Sequence, residues 1–114
     1  MTSTKKIAIV FGLIATLGGA KAFAGTWSGT TNVASVEIDD TGSGTSTYLS
    51  FTSAPTGKPA CGTSSQVIVG GSTDNVKAIT AAAMSAFLAG RDVKMWWDGT
   101  CSGTYARFTL FTVQ

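Results

Sequence analysis

Apolar and polar residues alternate in several stretches of the chain, and in one stretch apolar residues recur at spacings of three and four. Ala34, Val36 and Ile38 alternate with Ser35 and Glu37. Thr47, Leu49 and Phe51 alternate with Tyr48, Ser50 and Thr52, and Gln66-Val67-Ile68-Val69 forms a shorter run. Val93, Met95 and Trp97 alternate with Lys94 and Trp96, and residues 104–113 place Ala106, Phe108 and Leu110 opposite Tyr105, Arg107, Thr109 and Phe111. Period two with β-branched and aromatic residues predicts half-buried strands. Asp39-Asp40-Thr41-Gly42-Ser43-Gly44 is turn chemistry that makes the first two runs a hairpin, and Asp98-Gly99 is expected to turn the chain between the last two. Residues 54–63, with Pro55, Gly57, Pro59 and Gly62, read as a loop because each proline removes a ladder donor.

The helical period falls between the third and fourth strands. Val76, Ile79, Ala83 and Phe87 lie on one stripe, which is expected to rest on the sheet. Ser72, Thr73 and Asp74 offer capping oxygens, and Gly90 suits a left-handed cap, so a helix is expected over about Asp74–Ala89. The chain is thus mainly β with one helix, in the order strand, strand, strand, helix, strand, strand. That is the order of the five-stranded Greek-key barrel of the OB-fold, with the helix plugging one end. A plain five-stranded sheet with one helix packed on it has the same order.

Residues 1–24 stand apart. Lys5 and Lys6 precede an uncharged apolar run, Ile7 to Leu17, and Ala22-Phe23-Ala24 closes the segment. A basic start, a short apolar centre and an A-x-A end make a secretory signal peptide, and the run is well short of the ~20 residues that span a bilayer. The expected mature domain is 25–114, secreted or periplasmic. Its two cysteines, Cys61 and Cys101, would then meet an oxidising compartment. A single Cys61–Cys101 disulfide, the only intramolecular pairing available, is expected; two free or intermolecular thiols are the competing reading.

Export changes the charge. Three of the eight basic residues, Lys5, Lys6 and Lys21, leave with the leader, so five basic residues face six acids and the mature net charge is −1. A near-neutral domain without a basic cluster is a poor partner for nucleic acid or an anionic membrane surface. The chain has no histidine, which excludes histidine-based triads and histidine-ligated zinc. No metal site, cofactor motif or positioned acid–base pair is visible, so no enzyme is expected. Asp39-Asp40 and Asp98 sit beside glycines, where aspartate serves turns more often than cations.

The aromatic residues carry the functional signal. Trp27, Tyr48, Trp96, Trp97 and Tyr105 are many for a domain of this length. Consecutive Trp96 and Trp97 must point to opposite sides of their strand. One can be core; the other is exposed as a recognition surface, or is covered by the segment around Trp27.

These features resemble the small secreted binding subunits of bacterial A–B toxins of the pertussis, subtilase-cytotoxin and typhoid-toxin kinds. Trp27-Ser28-Gly29 after the cleavage point resembles their Trp-Thr-Gly, and Pro59-Ala60-Cys61 before the third strand resembles their Val-Ala-Cys. Ala89-Gly90-Arg91-Asp92-Val93 after the helix resembles their Thr-Gly-Gln-x-Val. The resemblance implies an OB-fold subunit that assembles as a homopentamer, binds host glycans or glycoproteins, and accompanies a secreted catalytic subunit. Thr30, Thr31 and Asn32 are the positions nearest to the family's sugar-contacting serine. With Trp27 and Trp96 they are the candidate glycan-binding residues. The alternative function is a periplasmic or secreted protein-interaction or inhibitor domain that acts through a strand edge.

Overall fold

A computed structural model describes residues 25–40 and 44–114. The signal peptide expected over residues 1–24, and the tip of the first hairpin at 41–43, lie outside them. The described residues form strands β1 (Thr26–Trp27), β2 (Thr31–Asp40), β3 (Thr45–Phe51) and β4 (Val67–Val69), helix α1 (Thr73–Ala89), and strands β5 (Asp92–Ser102) and β6 (Tyr105–Val113). The protein is mainly β with a single helix, and its sheet has six strands rather than five. The added strand is the two-residue β1, too short for any periodicity to announce it.

The pairing runs β5–β2–β3–β4–β6 and returns to β5, because β5 bonds β2 along one edge and β6 along the other. All pairs are antiparallel except β4–β6. β1 joins the same edge of β5 as β2: Thr26 and Trp27 face Trp97 and Trp96, then Thr31 and Asn32 face Val93 and Asp92. Between these pairs Ser28 is buried and keeps the contact, accepting from Met95 N–H at its Oγ (3.0 Å) and donating N–H to the Met95 carbonyl (2.8 Å).

Helix α1 begins and ends where its caps dictate. Ser72 Oγ accepts from Asn75 N–H, and Gly90 takes the left-handed conformation (φ 64°), its N–H returning to the Phe87 carbonyl. Ile79, Ala83 and Ala86 are the buried residues, with Val76 partly packed beside them. Phe87, expected on that stripe, is instead exposed. The buried stripe steps from Ala83 to Ala86 rather than to Phe87, which leaves the ring facing solvent. Thr47, buried on β3, ties the helix down through Thr80 Oγ1 (2.8 Å), which also donates to the Val76 carbonyl (2.6 Å).

Two bulges reverse the alternation read from sequence. In β2 the partners step from Val33–Phe51 to Ser35–Ser50, so Ala34 is an extra residue. Thr31 and Val33 are buried below it, Ala34 is exposed, and of the expected inward row only Val36 packs on the core; Ile38 is exposed. In β6 the partners step from Trp96–Leu110 to Trp97–Phe108, leaving Thr109 extra. Its carbonyl accepts from Asn75 Nδ2 (3.1 Å) on the helix. Beyond this bulge Phe111 packs on the core and Leu110 turns to solvent.

Asp98-Gly99 is also not the turn between the last strands. β5 continues to Ser102, and the reversal falls at Gly103-Thr104. Asp98 to Thr100 form an irregularity inside β5, between the Trp97–Phe108 and Cys101–Ala106 pairs. Cys101 therefore lies in a strand, and its disulfide with Cys61, 40 residues earlier, fastens the β3–β4 connection to the end of β5. The core holds Trp97, Phe108, Leu49, Met95, Val67 and Val93, all fully buried. Trp97 Nε1 donates to the Thr56 carbonyl (2.8 Å), so the same long connection closes over the largest core side chain.

Candidate functional site

β5 divides the two tryptophans. Trp97 faces inward, 1% exposed, edge-to-face with Phe108 at 6.2 Å between centroids. Trp96 faces outward and is half-buried. Its cover is Trp27, the cross-strand neighbour on β1, whose ring meets it edge-on at 5.6 Å. Trp27 remains 42% exposed, with Lys94 Nζ 5.9 Å from its centroid. On the other side of β5, Trp96 is paired with Leu110, 51% exposed. Trp27, Trp96 and Leu110 thus form an apolar row across three strands, with Lys94 and its partner Thr112 flanking it along the strands.

The other candidates lie at the Lys94 end of this face, and the structure sorts them. Thr30 is exposed. Asn32 is half-buried, and its Nδ2 is committed to the Arg91 carbonyl (3.1 Å) and Asp92 Oδ1 (2.7 Å). Thr31 points inward, 4% exposed, and its hydroxyl meets the carbonyl (2.8 Å) and the hydroxyl (3.0 Å) of Ser53. Thr31 therefore fastens β2 to the segment after β3 and presents nothing outward. Lys94 and Leu110 were missed in the sequence. The alternation of 94 with 96 marks the first; the Thr109 bulge hides the second.

Asp98 is engaged within its turn, accepting at Oδ1 from Thr100 N–H (2.9 Å) and Thr100 Oγ1 (2.7 Å) and at Oδ2 from Arg107 Nε (3.0 Å). Among the described residues no group of three or more acidic or cysteine side chains is placed to hold a metal ion. No buried side-chain nitrogen or oxygen among them lacks a hydrogen-bond partner. No helix among them is long and apolar enough to cross a membrane.

No protein-family model matches the chain, and no curated protein or solved structure matches it. A row of indole and aliphatic surface is left in water, bordered by an ammonium group, hydroxyls and an amide. Such a surface stacks against flat, partly apolar molecules and hydrogen-bonds their polar edges.

Proposed function

We propose that residues 25–114 are an exported carbohydrate-binding domain and that the outer face of β5 is its binding surface. The observation that carries this reading is the exposed Trp27–Trp96–Leu110 row with Lys94 beside it. A pyranose ring has an apolar C–H face that suits an indole, and hydroxyls on its rim that suit Lys94, Thr30 and Thr112. Such surfaces bind without any catalytic group. The disulfide supports a secreted or periplasmic location, since such bonds persist in oxidising compartments.

The closed circuit of strand pairs, the parallel β4–β6 pair and a helix between β4 and β5 support an OB-fold barrel. This fold, with the resemblance to toxin binding subunits, supports a homopentamer with a secreted catalytic partner. A ring needs two different surfaces on each protomer. The exposed Met84, Phe87 and Leu88 of α1 lie on a different element from the tryptophan row and supply a second apolar surface.

The test is an array of host glycans probed with the exported protein, beside light scattering at high concentration. Binding to a defined group of sugars is expected. Silence across the array overturns the glycan reading in favour of a protein-interaction domain, and a monomer at high concentration overturns the ring.

A further inference from the structure

Gly25 lies against the indole of Trp96. A Cβ placed on Gly25 would overlap Cζ2, Cε2 and Nε1 of that ring, so the ring itself occupies the space where a side chain would go. Gly25 is also the residue that follows Ala22-Phe23-Ala24 and would head the exported chain. In the precursor its nitrogen belongs to a neutral peptide bond. Cleavage makes it an α-ammonium, one bond of ~1.46 Å from a Cα that already touches the tryptophan platform.

Resting on the export reading above, we propose that this α-ammonium is a built-in group of the platform. Processing places beside Trp96 a charge that an uncleaved or N-terminally blocked chain lacks. The surroundings are sparse enough for that charge to matter. On β5, Lys94 sits over Trp27 rather than Trp96, and Asp98 is next in register beyond the Thr26–Trp97 pair. Asp98 is held by Thr100 and by Arg107 of β6. From the β3–β4 connection, Gly57 approaches the Thr26 side chain, and Lys58 turns away to donate to the Ser64 carbonyl (2.9 Å). The new ammonium therefore borders Trp96 as Lys94 borders Trp27, with the Asp98–Arg107 ion pair next to it along β5.

The chain also makes this group easy to observe. It has no histidine and both cysteines are in the disulfide, so an α-amino group is the one ordinary titrator between pH ~6.5 and ~9. The experiment compares tryptophan emission across that range for the exported protein, for the same chain with an acetylated N-terminus, and for Trp96→Phe. Acetylation leaves every side chain in place and does not threaten folding. A sigmoidal change with a midpoint near pH ~8 is expected for the free N-terminus. It should be lost on acetylation and lost in Trp96→Phe. Coincident curves for the free and acetylated chains, or a transition that survives in Trp96→Phe, overturn the proposal. Intact mass of the exported protein separates the two ideas. If the chain starts at Gly25 and the curves coincide, this proposal fails and the export reading stands; a cleaved chain with another start overturns this proposal alone, and a chain that keeps residues 1–24 overturns both.

Discussion

Two surfaces of this molecule leave large apolar side chains in water, and they are built differently. On the outer face of β5, Trp27 and Trp96 hold each other edge-on, strand pairing fixes their backbones, and Lys94, Thr30, Asn32 and Thr112 interleave polar atoms. On α1, Met84, Phe87 and Leu88 are exposed together, Leu88 at 79%, and Phe87 has no aromatic partner among the described residues. The first surface is rigid and chemically mixed, which suits a small polar ligand that must be oriented. The second is mainly apolar and carries the flexible Met84, which suits another protein surface. What separates them is the polar border and the rigidity, since exposed apolar residues are common to both.

The sharpest contrast within the first region is between neighbours. Trp97→Ala is expected to cost about 3–5 kcal/mol, the usual range for emptying a buried aromatic site, whereas Trp96→Ala should cost less than about half of that. Urea unfolding of both variants checks the order, and equal losses would erase the distinction between core and platform. Replacing Cys61 and Cys101 together by serine comes next. The bridge closes a loop of 40 residues and should contribute about 3–4 kcal/mol. At about 4–8 °C per kcal/mol the melting temperature should fall by more than ~10 °C. An unchanged melting curve would show that the core alone holds the β3–β4 connection.

Thr30 and Thr31 offer a smaller contrast. Thr31→Val leaves Ser53 without its partner and should cost about 1–2 kcal/mol, while Thr30→Val should stay within about 0.5 kcal/mol. Thermal melts of the pair test whether the buried hydroxyl is structural. The smallest effect is expected at Leu88→Gln, within about 0.5 kcal/mol and without loss of sugar binding. Loss of binding in that variant would move the site from β5 to the helix.

The order of the five longer strands and the limits of the helix were legible in the sequence, the latter because Ser72 and Gly90 act locally through capping atoms and backbone conformation; the two-residue β1 was not. The division of Trp96 from Trp97 was legible as a geometric necessity, though not which was buried. That is decided by Thr56 and Phe108, which reach Trp97 from distant elements. Ile38 stays in register with Val36 and is exposed because the core does not reach it. Ala34, Leu110 and Phe111 were misplaced because Ala34 and Thr109 bulge, and each bulge puts the residues on its two sides out of step. Neither residue carries a local mark of that role; the Thr109 bulge is fastened by Asn75, 34 positions earlier. Asp98-Gly99 has turn composition and makes a turn-like irregularity, but inside a strand that Cys101 and Ala106 extend. Thr31 looked equivalent to its neighbours until pairing with Val93 turned it toward Ser53.

The central claim is that the Trp27–Trp96 row binds a sugar. Calorimetric titration of the best sugar from the array into the exported protein and into Trp27→Ala tests it most directly. Trp27 is exposed, so its loss should leave the fold intact, which a matched melting curve confirms. Affinity should fall at least ~10-fold, the equivalent of ~1.4 kcal/mol for a lost stacking partner. Unchanged affinity in a folded Trp27→Ala protein would contradict the account.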